Sequence, residues 1–297
     1  MRALRVVRLA DGLAAIVGED GRGPPRRARG EGSAVDRDAL HWREYVTEGA
    51  LLGVFMITAC VLGVALDHPG SPVVSALPEP FARRALFGVA MGATAIAISY
   101  SSAGKRSGGH INPAVTLAFL ALGKVRPRDA ALYGGAQFAG ATAGVLASWT
   151  VLGDRLAHPA VHFVTTRPGP RGALVAFAAE ALISFVLMSV VLAVSASRRQ
   201  AWTGVCAGVL VAVYITLEAP ISGMSMNPAR SLGSALVAGE VAPLWIYLVS
   251  PPLGMLAAAG TMRRTAARAC AKLRHASDVP CIFCGQGMAP AASRRAA

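Results

Sequence analysis

The sequence predicts an all-α membrane protein with six transmembrane helices and two re-entrant half-helices, arranged as an inverted repeat of three spans plus three spans. Three observations support this fold: an apolar composition, six long hydrophobic segments and a tripeptide that occurs once in each half. The chain has 297 residues, of which 54% are hydrophobic and 15% charged, with a mean hydropathy of +0.50. Because a soluble domain carries roughly a quarter charged residues, this composition indicates a membrane protein.

The net charge of +13 is explained by membrane topology, and no nucleic-acid partner is expected. The basic residues lie in the tails and short loops rather than on one amphipathic face or among aromatic residues. They concentrate on the side of the two tails. The loops on the other side contain Arg83, Arg84, Arg155, Arg167 and Arg171. By the positive-inside rule, we expect a multi-pass protein of the plasma (inner) membrane with both termini in the cytoplasm.

Six apolar segments are long enough to cross a bilayer, which takes about 20 residues. These segments are residues 44–66, 84–103, 130–152, 173–196, 202–220 and 243–261. Two further apolar stretches, 113–123 and 228–238, are only about half as long, and each begins with a proline that follows an asparagine. Asparagine is a good N-cap and proline is tolerated at the first helical position. We therefore predict two short helices that cannot span the membrane.

These segments also set the predicted domain boundaries. Residues 1–43 form a disordered basic cytoplasmic tail, residues 44–261 the membrane domain, and residues 262–297 a second basic cytoplasmic tail. Within the membrane domain, the first repeat covers 44–152 and the second covers 173–261.

Each repeat has an odd number of spans, so the second repeat enters the membrane upside down relative to the first. The two short helices then enter from opposite faces, and their N-termini meet near the midplane. There they place Asn112 and Asn227, which are the only asparagines in the sequence. Non-helical backbone at that depth is tolerated only where it is buried or lines an aqueous cavity. We therefore expect the residues before each asparagine to line a pore: Gly109, His110, Ile111, Met224, Ser225 and Met226.

The two tripeptides and their surroundings resemble the aquaporin, or major intrinsic protein, family of water and glycerol channels. The matching residues are Asn112, Pro113, Ala114, Asn227, Pro228 and Ala229, each tripeptide preceded by Ser-Gly and three further residues, with Arg230 after the second. The resemblance covers residues 44–261, which it makes an aquaporin-type channel domain. It implies an aquaporin fold that usually assembles as a homotetramer in the lipid bilayer, with one pore in each subunit.

The resemblance also implies roles for individual residues. Glu48 and Glu180 fall where the family places one glutamate per half, and Gln137 matches as well. These three side chains are expected to support the re-entrant loops; a proton relay is the alternative role for the glutamates, since intramembrane acids are commonly functional. His110 is expected to line the pore or to support its loop, with a pH-dependent plug as the alternative.

Family spacing places a selectivity ring at Arg230, Met224, Ile215 and Gly92. Met91 replaces Gly92 in this ring if the stretch from Ser101 to Arg106 is one residue longer than in most relatives. Such a ring is more apolar and wider than that of strict water channels, whereas Ser231 is typical of water channels and of nodulin-like plant channels. The mixed pattern favours a solute-permeable, aquaglyceroporin-like or nodulin-like bacterial member.

The expected activity is passive passage of water and small neutral solutes such as glycerol, urea and undissociated metalloid acids. Two facing helix N-termini place roughly half a positive charge each at the channel centre, which repels cations and protons. The amides of Asn112 and Asn227 offer N–H donors to a passing oxygen. No bond is made or broken, so we predict no enzyme, no catalytic residue and no cofactor.

A proton-coupled or ion-coupled secondary transporter is the alternative function, because inverted repeats with discontinuous helices also describe coupled carriers. A carrier needs a central acid or another ion-coordinating group. The polar side chains that the sequence places at the midplane are instead two neutral amides and Arg230.

The C-terminal tail contains a possible metal motif. Cys281 and Cys284 form a Cys-x-x-Cys pair with Cys270 and His275 nearby, and together these residues could bind zinc or a soft metalloid. A single pair without a partner pair at fixed spacing is a weak signal. We therefore predict a reduced cytoplasmic tail and no metal site.

Overall fold

The computed structural model describes residues 5–8, 14–17, 40–276 and 281–285. The chain divides into two units, Met1–Ala39 and Leu40–Ala297. In the first unit, strands β1 (Arg5–Arg8) and β2 (Ala14–Val17) pair antiparallel. The prediction of an all-α chain did not include this hairpin. Most of the predicted N-terminal tail lies outside the described residues, so its disorder stays a prediction.

The described part of the second unit is helical. Its α-helices are α1 (Trp42–Asp67), α2 (Pro72–Ala76), α3 (Pro80–Tyr100), α4 (Ser102–Ser107), α5 (Pro113–Ala121), α6 (Pro127–Leu152), α7 (Asp154–Ala157), α8 (Ala173–Ser195), α9 (Thr203–Leu217), α10 (Ala219–Ser222), α11 (Pro228–Ala238), α12 (Leu244–Thr261) and α13 (Arg263–Ala266). Short 3₁₀ turns cover His162–Val164 and Gln200–Trp202. The six long helices correspond to the six predicted spans, and α5 and α11 to the two predicted short helices.

Within the described residues, five helices have the length and composition needed to cross a membrane: Trp42–Asp67, Pro80–Tyr100, Ala173–Ser195, Gln200–Leu217 and Leu244–Thr261. Helix α6, the third predicted span, has 26 residues but is rich in small and polar ones. Its small residues face α1 and α11, where helix backbones approach closely. Its lower hydropathy therefore reflects burial between helices.

Helix contacts follow the predicted repeat. Helix α1 packs along α6 as α8 packs along α12, and each half-helix packs against the last span of the other repeat, α5 on α12 and α11 on α6. Helices α3 and α9, the middle spans of the two repeats, pack against each other. Exchanging α1, α3, α5 and α6 with α8, α9, α11 and α12 leaves this set of contacts unchanged, as an internal two-fold repeat requires.

Glycine pairs allow the tightest of these crossings. Gly49 and Gly53 on α1 face Gly140 and Gly144 on α6, each pair four residues apart on one helix face. A Cβ atom on Gly140 would lie 1.9 Å from the carbonyl oxygen of Gly49. Small residues at such spacing let membrane helices bring their backbones into contact.

Candidate functional site

The two half-helices begin at their asparagines because each asparagine caps its own helix. Asn112 and Asn227 have extended backbones, and a proline follows each at the first helical position. The Oδ1 atom of Asn112 accepts from the backbone N–H of Ala114 at 2.9 Å. The Oδ1 atom of Asn227 accepts from Ala229 at 3.0 Å and from Arg230 at 3.3 Å. These bonds satisfy helix N–H groups that would otherwise lack a partner.

The amide nitrogens of the same two asparagines join the half-helices to each other. Asn112 Nδ2 donates to the carbonyl oxygen of Met226 at 2.7 Å, and Asn227 Nδ2 donates to that of Ile111 at 2.7 Å. The starting ends of α5 and α11 therefore abut. Since each amide nitrogen carries two N–H donors, each has a second donor beyond this mutual bond.

Glu48 holds the loop that leads into α5. Its Oε1 atom accepts from Ser107 Oγ at 2.7 Å and from the backbone N–H of His110 at 3.0 Å. Its Oε2 atom accepts from the N–H of Ile111 at 2.6 Å and from Gln137 Nε2 at 2.9 Å. This fully buried carboxylate thus replaces the water that the loop N–H groups would need.

Glu180 supports the loop before α11 in the same manner. It accepts from Ser222 Oγ at 2.8 Å and from the backbone N–H groups of Ser225 at 2.6 Å and Met226 at 2.8 Å. Both loops are further fixed by a tyrosine, since Tyr133 donates to Ser107 O at 2.6 Å and Tyr247 to Ser222 O at 2.5 Å. The second half has no counterpart of Gln137, because Pro251 stands four residues after Tyr247.

The loops require left-handed backbone at residues other than glycine. Ile111 has φ 40°, Met224 has φ 51° and Met226 has φ 51°, while Gly109 has φ 68°. Such conformations cost of order 1–3 kcal/mol each and persist only where the surroundings determine them. The carboxylates of Glu48 and Glu180 supply that constraint, since they bind the loop N–H groups directly.

A cavity of about 400 Å³ runs past both asparagines. The predicted site residues that line it are Met91, Gly109, His110, Ile111, Asn112, Ile215, Met224, Ser225, Met226, Asn227 and Arg230. The other four motif residues, Pro113, Ala114, Pro228 and Ala229, lie in the first turns of the half-helices, where they shape the capped ends. Both re-entrant loops and both helix caps thus meet at one cavity.

Helix α3 shows how far the cavity extends and which residue it presents. The lining residues Arg83, Phe87, Met91, Ala95 and Ser99 occur at every fourth position, on one face of the helix. At about 1.5 Å per residue, they cover about 24 Å along the axis. The cavity is therefore elongated and extends well beyond the two asparagines, and we call it the passage.

Of the two candidates on α3, Met91 lines the passage and Gly92 does not. Gly92 faces α9, where an added Cβ atom would lie 2.5 Å from the carbonyl oxygen of Gly208. The alternative assignment, Met91, is thus the one whose residue lies against the cavity. Gly92 is instead a packing residue, because only glycine fits so close to the α9 backbone.

Arg230 lies in the first turn of α11 and lines the passage. Its Nη1 atom is buried and has no hydrogen-bond partner among the described residues. Burying a charged donor without a hydrogen-bond partner costs free energy, unless a molecule in the cavity accepts its hydrogen bond. Ser231, which sequence reasoning used as a guide to solute choice, is buried behind it and bonded to Thr166 Oγ1 at 2.7 Å and to Ser225 Oγ at 2.6 Å.

Several lining residues were missed by sequence reasoning. They are mainly apolar side chains of the spans: Phe55, Ala59, Phe87, Leu187, Val191 and Val211. A helical-spacing signal was available, because Phe87 and Val211 each lie four residues before a predicted ring position. Leu273, in the segment after the last span, also lines the passage, and no sequence pattern indicated this role.

Known proteins match this chain in sequence. A family model described as Major intrinsic protein matches residues 36–261. The chain is 42% identical over 158 residues to "Putative aquaporin NIP4-1" of Arabidopsis thaliana, covering 52% of this chain and 54% of that protein. It is 36% identical over 167 residues to "Aquaporin NIP1-3" of Oryza sativa subsp. japonica, covering 56% and 57%. The chain thus spans a little over half the length of these curated relatives.

A solved structure has the same fold. The X-ray structure of the aquaglyceroporin from Plasmodium falciparum aligns with a TM-score of 0.62 at 19% sequence identity. The alignment covers 75% of this chain and 96% of that one. At this identity the likeness concerns the arrangement of helices alone.

Proposed function

Because the chain belongs to the major intrinsic protein family, we propose that it is a passive membrane channel for water and small neutral solutes. The solutes are of the size and polarity of glycerol, urea and undissociated metalloid acids. The observation that carries the proposal is the passage lined by Asn112 and Asn227 at the point where two half-helix N-termini abut.

Passage of neutral molecules follows from what lines the cavity. The second N–H of each asparagine amide can donate to a water or hydroxyl oxygen. The helix N-termini behind them carry partial positive charge, and Arg230 adds a full one. A cation or proton meets repulsion there, whereas a neutral dipolar molecule exchanges hydrogen bonds and moves on.

The ring favours solutes beyond water. Met91, Ile215 and Met224 line the passage together with Arg230. Three apolar side chains and one guanidinium suit a molecule with an apolar edge and a hydroxyl edge, such as glycerol. Phe55 and Phe87 extend this apolar wall.

A coupled carrier is the competing function. It would need an ion-binding group at the centre of the passage. The charged residues that line the described passage, apart from Arg230, are Asp67, Arg83 and Arg84, which lie where α1 ends and α3 begins. Glu48 and Glu180 bind loop N–H groups, which supports a structural role over a proton relay.

The assembly and orientation belong to the same proposal. We propose a homotetramer in the plasma membrane with both termini in the cytoplasm, as the family resemblance and the distribution of arginine favour. Exposed apolar side chains such as Val89, Val151 and Leu182 would then face lipid or neighbouring subunits.

Stopped-flow measurements on proteoliposomes test the proposal. We expect faster water and glycerol equilibration than in protein-free vesicles, no saturation at low solute concentration and no response to a proton gradient. Saturable or gradient-driven flux would establish a carrier instead. Fast water flux without glycerol flux would refute the solute-permeable ring.

A pair of variants on α3 tests the ring itself. Met91→Phe places a larger side chain in the passage, so we expect glycerol permeability to fall more than water permeability. Val89→Phe is the matched control, because Val89 lies 62% exposed on the outside of the same helix. Equal effects of the two substitutions would exclude Met91 from the ring.

A further inference from the structure

Four side chains of types that bind metal ions come together in the C-terminal region, where the sequence led us to predict no metal site. Cys270, His275, Cys281 and Cys284 place one ligand atom each within 4.8 Å of all the others. Cys270 Sγ lies 3.7 Å from Cys281 Sγ, and His275 Nε2 lies 3.2 Å from Cys284 Sγ. The three cysteines are thiols and do not form disulfides. We call these four residues the Cys3His cluster.

The types of the four donor atoms and the distance between two of the sulfurs favour zinc. Three thiolates and one imidazole form a common tetrahedral zinc site, with Zn–S bonds of about 2.3 Å. Two sulfurs bound tetrahedrally at that distance lie about 3.8 Å apart, close to the separation of the Cys270 and Cys281 sulfurs. A trivalent metalloid would need only the three thiolates, so the nitrogen donor favours zinc.

The residues between these ligands cover one end of the passage. We call the end lined by Ser99, His110 and Leu273 the tail-side mouth. Leu273 donates its backbone N–H to the carbonyl oxygen of Gly108 at 3.1 Å. His110 Nε2 lies 2.7 Å from the carbonyl oxygen of Ala271. The chain next to Cys270 therefore touches the loop that leads into α5.

The Cys-x-x-Cys turn reaches the same place. Phe283, between the two cysteines, stacks on the ring of His110 with centroids 5.9 Å apart and an interplanar angle of 10°. Its ring also lies beside that of Tyr133, with the two ring centroids 6.0 Å apart. The ligands thus bracket two apolar side chains, Leu273 and Phe283, that lie at the tail-side mouth.

We propose that the Cys3His cluster binds a zinc ion that fastens the C-terminal segment (residues 267–276 and 281–285) across the tail-side mouth and closes the channel. Without the ion, the segment is held by the hydrogen bonds described above, by the Phe283 stack and by the packing of Ala271, Leu273 and Phe283 against the hydrophobic core. A metal joins two stretches of chain whose separate ordering is entropically costly, so binding and docking stabilise each other. Closure rests on the proposed channel function, whereas the metal site does not.

Metal binding is tested on the full chain in detergent, purified with a reductant and then stripped by a chelator. We expect Co²⁺ to give a thiolate charge-transfer band and strong visible bands of tetrahedral coordination, both abolished by one equivalent of Zn²⁺. Cys281→Ser/Cys284→Ser should lose these bands. The control Cys206→Ser, in α9 and outside the cluster, should keep them. Absence of the charge-transfer band in the unsubstituted chain would overturn the site.

Closure is tested by stopped-flow permeability with Zn²⁺ or chelator on both faces of proteoliposomes. Permeability should rise several-fold on chelation in the unsubstituted chain and in Cys206→Ser. Leu273→Ala/Phe283→Ala should keep the cobalt spectrum but stay open with zinc. Equal permeability with zinc and chelator would overturn closure, whereas a lack of permeability in every variant would instead overturn the channel function.

Discussion

At the residue scale, the passage depends on side chains that serve the backbone as much as the solute. Asn112 and Asn227 each cap a helix with the oxygen and bind the opposite loop with the nitrogen. Aspartate could form the cap but not the cross-bond, because a carboxylate has no N–H donor. This double requirement explains why asparagine occurs at both positions.

Replacing Glu180 with glutamine should destabilise the protein. The carboxylate accepts three hydrogen bonds through two oxygens, and glutamine offers one oxygen and turns an N–H toward loop donors. Leaving a buried N–H unsatisfied costs roughly 1–3 kcal/mol. The free energy of unfolding in detergent measures this loss. Glu44→Gln, at the half-buried start of α1, should change it little, and equal stability of both variants would contradict the role of Glu180.

At the element scale, glycine decides which helices touch. Gly140 and Gly144 bring α6 against α1, and Gly88 and Gly92 bring α3 against α9. The glycines are visible in the sequence, but the helices that they contact are known only from the packing. Gly92 is an example. Family spacing assigned it to the ring, but it lies at the crossing of α3 and α9, and the residue before it, Met91, lines the cavity.

Gly140→Val should disrupt the α1–α6 crossing. Its Cβ atom would overlap the carbonyl oxygen of Gly49 at 1.9 Å, which is backbone and cannot rotate away. Overpacking typically costs 1–3 kcal/mol, occasionally more, so we expect lower thermal stability and less monodisperse protein by size-exclusion chromatography. Gly135→Val lies on the same helix with open space around it. If both valines were tolerated equally, the close crossing would be wrong.

At the scale of the whole molecule, three spans in each half place both ends of the membrane domain on the same face. The Cys3His cluster lies on that face with the tail-side mouth, since it directly follows α12 and α13 in the chain. Cytoplasmic termini would put these thiols in a reducing compartment, where cysteine clusters bind metal rather than form disulfides.

Reporter fusions at the C-terminus should therefore distinguish the two orientations in bacteria. We expect a C-terminal fluorescent protein to mature and a C-terminal alkaline phosphatase to be inactive, because the positively charged side stays inside. A phosphatase fusion after residue 158, in the loop between α6 and α8, should be active and serves as the control. The opposite pattern would invert the proposed topology.

The sequence by itself determined the six long helices, both half-helices and the meeting of the two asparagines. These features follow from local signals, namely apolar length, an N-cap with a following proline, and an odd number of spans per repeat. Glu48, Glu180 and Gln137 could be named only through the family resemblance, and their hydrogen bonds to the loops were visible only in the fold.

Only the tertiary structure shows that Met91 lines the cavity while Gly92 packs against α9, because the face that a helix turns to the cavity depends on which of its other faces contact neighbouring helices. Only the tertiary structure shows that Cys270 and His275 lie beside the Cys281–Cys284 pair, and that Leu273 and Phe283 lie at the tail-side mouth. The spacing of ligands along a chain does not give their separation in space when the intervening residues fold back onto another surface.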